Sequence, residues 1–241
     1  MLSDKEKHTD RQIDWSVWPE DGFALVISGS PVGVSADLLR ELATRANYIV
    51  AADSGAQWAH DAGIELNVVL GDLDSINSRS LTYFRNNKVG FVEFDRHKDA
   101  TDIELAFRHL EGQGYSTVVA TNMLGGRIDQ TLAAVGCFAK LRGFLPWIIA
   151  DDVQIVFLQS EGTCSSLRMR QDLLSINREI SLVPIGGSAT VSAHGVEWEL
   201  DHEELSPLET KGVSNVVTAD CALVRVHQGI IAVMIPWQLE A

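Results

Sequence analysis

Asp72 and Asp74 flank a single residue in Gly71-Asp72-Leu73-Asp74-Ser75. In an extended segment, side chains at i and i+2 project from the same side. Two carboxylates held that close repel each other unless a cation sits between them. A hard cation such as Mg²⁺ takes one or two carboxylates together with substrate phosphates. Three other polar clusters recur along the first half of the chain: Asp53-Ser54-Gly55, Lys98-Asp99-Ala100-Thr101-Asp102 and Gly125-Gly126-Arg127-Ile128-Asp129.

Each cluster offers a part suited to phosphate chemistry. Thr101-Asp102-Ile103-Glu104 has the form of a capping box. A helix that starts there presents free N–H groups and a positive dipole end to an anion. Lys98 supplies a cation, while Asp99 and Asp102 become metal ligands or acceptors for metal-bound water. Gly125 and Gly126 permit close backbone approach and a nest of N–H groups. Arg127 adds a planar fork matched to phosphate. Asp129 has three possible roles: capping the next helix, orienting Arg127, or contacting substrate.

These clusters need a scaffold. Short apolar runs at 23–28, 48–52, 68–70, 90–94, 117–121 and 147–150 read as buried strands. Between them, 35–46, 56–62, 78–86, 101–110 and 129–141 have helical spacing. Alternating strands and helices predict a mainly parallel, Rossmann-like α/β sheet covered on both faces, with ligands at the carboxyl ends of its strands. All four clusters fall at such ends.

After residue 152 the pattern changes. Segments 155–158, 179–183, 189–193, 196–200, 216–217, 222–226 and 230–235 are strand-like, and no amphipathic helix separates them, so an antiparallel β-sandwich or barrel is expected. The expected division is an arm over 1–22 without periodicity, an α/β catalytic domain over 23–152 and an all-β domain over 153–241.

The composition limits the function. The 241 residues are 46% hydrophobic and 22% charged, as in an ordinary globular protein. A formal net charge of −14 disfavours nucleic acid and suits a cationic small substrate. Cys137, Cys164 and Cys221 are few and far apart, as expected of reduced thiols in the cytoplasm. The charged first residues do not resemble a signal peptide, and no apolar run is long enough to span a bilayer. No P-loop, dinucleotide fingerprint or Gly-x-Ser-x-Gly elbow is present.

In this order, the four clusters, together with 180–186, Gly195-Val-Glu-Trp-Glu-Leu200 and Gly212-Val-Ser-Asn215, resemble the thiamine pyrophosphokinases over residues 24–235. The resemblance implies transfer of the pyrophosphoryl group of ATP to the hydroxyl of thiamine. It assigns Asp72, Asp74 and Asp102 to a Mg²⁺–ATP centre. It places Asp53, Lys98, Thr101, Arg127 and Asp129 around the phosphates and substrate, and Ser214 and Asn215 at thiamine. It further implies a homodimer whose sites join one subunit's α/β domain to the other's β domain.

Three positions depart from the family pattern. Ser54 stands where glycine is common, Gln130 replaces a histidine and Val216 replaces a glutamate. Two other functions remain open: a related enzyme that pyrophosphorylates a pterin or another alcohol, and a nucleotide- or thiamine-binding sensor without turnover. Asp72 and Asp102 are both candidates to take the hydroxyl proton.

Overall fold

The computed structural model describes residues 12–14, 19–20, 22–95, 99–162, 164–174 and 179–237. In chain order the first half contains β1 (Gln12–Asp14), β2 (Ala24–Ile27), α1 (Ala36–Arg45), β3 (Tyr48–Ala52), α2 (Gly55–Ala62), β4 (Val68–Gly71), α3 (Ser78–Asn86) and β5 (Gly90–Glu93). It continues with α4 (Asp102–Leu110), β6 (Thr117–Thr121), α5 (Ile128–Lys140) and β7 (Leu145–Ile149). The second half contains β8 (Val153–Gln159), β9 (Ser166–Arg170), β10 (Glu179–Pro184), β11 (Ala189–His194), β12 (Leu200–Leu205), β13 (Asn215–Val216), β14 (Cys221–Gln228) and β15 (Ile230–Pro236).

The six strands from β5 to β7 lie in the order β5-β4-β3-β2-β6-β7, all parallel. The chain winds outward from β2 to β5, then returns to place β6 on the other side of β2. The gap between β2 and β6 is therefore the topological switch point, where a crevice opens at the carboxyl ends.

Alternation along each strand divides the core. Leu25, Ile27, Ile49, Ala51 and Val69 face one layer with Leu38, Leu39, Leu42, Ala56 and Ala59 of α1 and α2. Ala24, Val26, Val50, Ala52 and Leu70 face the other with Ile103, Phe107, Leu110 and Phe138 of α4 and α5. Helix ends are set locally. Ser35, Asn77 and Thr101 cap α1, α3 and α4 through side-chain oxygens, and Gly63 closes α2 at φ 71°.

The sheet does not break at the expected boundary of 152/153. β8 turns back antiparallel to β7 and continues the same sheet into β15, β10 and β13. A second sheet, β1-β9-β14-β11-β12, packs over that extension. Val156, Leu158, Leu167, Met169, Leu182, Val191, Val224 and Val233 fill the space between them, as the expected sandwich requires.

Three local expectations change. Part of the arm is ordered: Gln12–Asp14 pairs parallel to β9, gaining hydrogen-bond partners from a sheet edge rather than from any periodicity of its own. Residues 196–199 are not a strand, and only Leu200 of the expected segment is in one, as the first residue of β12. Gly195, at φ 77°, lies so close to the Cys221 carbonyl that the chain turns away, leaving only a bridge from Val196 to Val217. The strands at β9 and β12 were not expected. β9 carries arginines on its outer face, and β12 is an edge strand whose four middle residues are exposed.

Candidate active site

A cleft of about 380 Å³ opens at the switch point. Its wall includes Ser28–Ser30 after β2, Asp53 and Ser54 after β3, Thr101 and Asp102 at the start of α4, Gly125 after β6, and Asp129 and Gln130 of α5. Ser28, Gly29 and Ser30 were not singled out from sequence. The available signal was a small polar triplet directly following a buried strand.

The β2 and β3 loops touch. A side chain on Gly29 would run into the Ser54 hydroxyl, and one on Gly55 into the Ile27 carbonyl. Gly55 is thus required for packing as well as for the start of α2. Ser54 Oγ donates to the Gly29 carbonyl at 3.3 Å.

Carboxylate oxygens of Asp53, Asp72 and Asp74 lie within 4.8 Å of one another. Asp53 sits at φ 48°, and its N–H donates to the Leu70 carbonyl at 2.7 Å. Asp53 Oδ2 accepts from the Ser75 hydroxyl, while Oδ1 is buried without a hydrogen-bond partner among the described residues. Burial pushes the Asp53 carboxyl up from the usual range; the Ser75 hydrogen bond opposes this, and the Asp102 and Asp72 charges add to it. Asp102 Oδ1 and Asp53 Cβ both lie close to where a side chain on Gly71 would be. A buried Asp53 oxygen without a hydrogen-bond partner among the described residues, set among converging carboxylates, offers the hard oxygen donors that suit Mg²⁺.

The opposite wall is the turn before α5. Gly125 and Gly126 have φ of 94° and 70°, and side chains there would meet Val32 and Pro31. Arg127 occupies the N-cap position of α5 but makes no side-chain cap. Its guanidinium grips Asp129 instead, Nε to Oδ1 at 3.1 Å and Nη2 to Oδ2. That pairing raises the Arg127 pKa and lowers that of Asp129. Asp129 thus pairs with Arg127, and it also lines the cleft. Thr101 Oγ1 accepts from the Glu104 N–H at 3.3 Å, one arm of the capping box, while the Glu104 carboxylate pairs with Arg108. Asp99 is exposed in the loop before α4. Lys98 lies outside the described residues.

In the β module, Ser214 is exposed at φ 56° and its N–H donates to Ser181 Oγ at 3.0 Å. Asn215 is only 2% exposed. Its Oδ1 accepts from the Trp198 and Val216 N–H groups at 3.1 and 2.9 Å, and its Nδ2 donates to the Trp198 carbonyl at 2.8 Å. The residue it holds, Trp198, is 56% exposed. Trp198 had been assigned no role from sequence. Cys137, Cys164 and Cys221 form no disulfide. No described helix is long and apolar enough to cross a membrane.

Residues 39–145 match the family model described as "Thiamin pyrophosphokinase, catalytic domain", and 167–231 match "Thiamin pyrophosphokinase, vitamin B1 binding domain". The chain is 26% identical over 209 residues to thiamine pyrophosphokinase 3 of Oryza sativa subsp. japonica, covering 76% of this chain and 75% of that protein. It is 25% identical over 222 residues to thiamine pyrophosphokinase 1 of the same plant, covering 81% and 80%. The fold resembles the crystal structure of Bacillus subtilis thiamine pyrophosphokinase with a TM-score of 0.77 at 18% identity, over 91% of this chain and 100% of that one. It resembles yeast thiamin pyrophosphokinase with a TM-score of 0.77 at 16% identity, over 98% and 94%.

Proposed function

The chain belongs to the thiamin pyrophosphokinase family, and from this we propose that its cleft transfers the pyrophosphoryl group of ATP to the hydroxyl of thiamine, releasing thiamine diphosphate and AMP. The supporting observation is the arrangement around the cleft: Asp53 and Asp102 line it, the Asp72 and Asp74 carboxylates converge on Asp53, and Gly125 and Asp129 on either side of Arg127 form another part of its wall.

Asp53, Asp72 and Asp74 would hold Mg²⁺, with Asp102 beside them. A cation held there would supply positive charge to offset that of the phosphates. The rest of the task is positioning. The positive N-terminal end of α5 and the Arg127 fork cradle the phosphates. Asp129 holds Arg127 in place until phosphate competes for it. Of the two candidates for the hydroxyl proton, Asp102 lines the cleft and Asp72 does not, so we assign the proton to Asp102.

Thiamine carries a cationic thiazolium beside an aromatic pyrimidine. An exposed tryptophan offers both ring stacking and cation–π attraction. We assign that contact to Trp198 and a positioning role to Asn215. Ile128 and Leu132, 73% and 66% exposed, lie one turn apart on α5, and Leu208 and Val213 are exposed on the β module. Exposed apolar faces on both parts support a homodimer that covers them and completes each site across subunits. Few thiols and no disulfide agree with a cytoplasmic location.

Incubating the protein with ATP, Mg²⁺ and a panel of alcohols that includes thiamine and a hydroxymethylpterin, with products identified by mass, tests this reading. Thiamine diphosphate and AMP in equal amounts are expected. A pyrophosphorylated pterin would move the assignment to the related enzyme, and no product with any alcohol would favour the sensor.

A further inference from the structure

The carboxylates of the cleft do not hold themselves in place. Asp72 and Asp74 sit on the loop between β4 and α3, which passes through Leu73 at φ 61°. Asp53 sits on a different loop, and the Ser75 hydroxyl donates to it across the gap. Like charges brought this close repel. Holding the loop in register helps to oppose that repulsion.

Gln57, in the first turn of α2, is placed to do this. Its Nε2 donates to the Ser75 carbonyl at 2.7 Å, and its Oε1 accepts from Asn77 Nδ2 at 2.9 Å. The second bond fixes which way the amide points, because Asn77 Nδ2 can only donate. Asn77 is fixed in turn by capping α3, its Oδ1 accepting from the Ser80 N–H at 2.8 Å. The adjacent Trp58 Nε1 donates to the Ser30 carbonyl at 3.0 Å, so α2 also grips the β2 loop of the same cleft.

We infer that Gln57 is a positioning residue for the divalent-cation site, bracketing the Asp72–Asn77 loop through Ser75 and Asn77 so that the Asp53, Asp72 and Asp74 carboxylates converge. This rests on the metal assignment proposed above. Gln57 touches neither the cation nor the substrate. It acts through the Ser75 backbone, whose side chain orients Asp53. Outer partners of carboxylate ligands typically contribute roughly 10–100-fold in metal affinity.

The test is Mn²⁺ binding to the full chain without nucleotide, read as loss of the free Mn²⁺ signal in electron paramagnetic resonance. Gln57→Met keeps the side-chain length and removes both bonds. Asn77→Ser keeps a helix cap but no longer reaches Gln57. Wild-type protein should bind Mn²⁺; Gln57→Met should bind about tenfold more weakly and Asn77→Ser about threefold more weakly. Wild-type affinity in a folded Gln57→Met, even with a lowered melting temperature, would make Gln57 merely structural and overturn the inference. If Gln57→Met does not fold, unchanged affinity in Asn77→Ser overturns it equally. Absence of Mn²⁺ binding in the wild type would instead overturn the metal assignment itself.

Discussion

Asn215 holds Trp198 by both of its backbone polar groups, accepting from its N–H and donating to its carbonyl. The buried amide thereby presents an exposed indole. Asn215→Ala removes three hydrogen bonds and leaves backbone groups of the 195–199 loop unpaired, a loss of about 2 kcal/mol. A melting temperature lower by roughly 5 °C and a tenfold rise in thiamine KM are expected, with ATP KM unchanged. Trp198→Ala should raise the thiamine KM at least as far while leaving the melting temperature close to wild type. Equal thiamine KM in wild type and Trp198→Ala would remove the indole from the substrate site.

Asp72→Asn and Asp74→Asn should each abolish turnover while leaving the fold intact. Removing a metal carboxylate costs several kcal/mol of transition-state stabilisation, on the order of 10³-fold in rate. Steady-state rates at saturating Mg²⁺ and ATP, with circular dichroism as the fold control, decide it. Near wild-type rates in both variants would contradict the metal assignment.

Asp53→Asn should separate stability from function. Burial and the neighbouring Asp102 and Asp72 charges make an ionised Asp53 unfavourable in the metal-free protein. Neutralising it should raise the melting temperature in the presence of a chelator, and remove the stabilisation that Mg²⁺ gives the wild type. A lower melting temperature in chelator would show that the Ser75 hydrogen bond outweighs the burial of the charge.

Arg127→Lys keeps the charge but loses the fork that now grips Asp129 through two nitrogens. Both side chains are exposed, so the pair itself adds little stability and the melting temperature should not change. An ATP kcat/KM at least tenfold lower is expected. A higher ATP KM alone would mean the fork acts on bound substrate, and a lower kcat alone that it acts at transfer. No change in either would leave Arg127 as a surface residue flanking a helix.

Mixing two impaired chains, assayed at thiamine concentrations far below the raised KM of Trp198→Ala, tests the shared site. Asp74→Asn damages the carboxylate wall and Trp198→Ala the β module. With free exchange, about half of the dimers are heterodimers, and each contains one intact and one doubly damaged site if the halves meet across subunits. Activity should recover to roughly a quarter of wild type. No recovery despite demonstrated exchange would mean that each site is completed within one chain.

Local chemistry made much of this protein legible. The continuous apolar runs at β2, β3, β4 and β6, buried on both faces, required a covered parallel sheet. The capping box at Thr101 marked the start of α4, and helical spacing placed the starts of α1 and α3 within a residue or two. The four polar clusters followed strand ends, where parallel sheets bind ligands. These features depend on neighbours in the chain, and periodicity records them.

Relations between distant segments were decided only in the tertiary structure. Gln12–Asp14 has no pattern of its own and becomes a strand because β9 offers an edge. Residues 196–200 look like a strand, but Gly195 pressed against the Cys221 carbonyl turns them outward. Asp53 joins Asp72 and Asp74 because β3 and β4 are adjacent, and its charge is costly because folding buries it. Asn215 was expected at the substrate, yet its amide is engaged by a loop 17 residues away and the exposed ring beside it is Trp198. A side chain's type shows which bonds it can make, but burial and partners depend on which distant strands the fold makes neighbours.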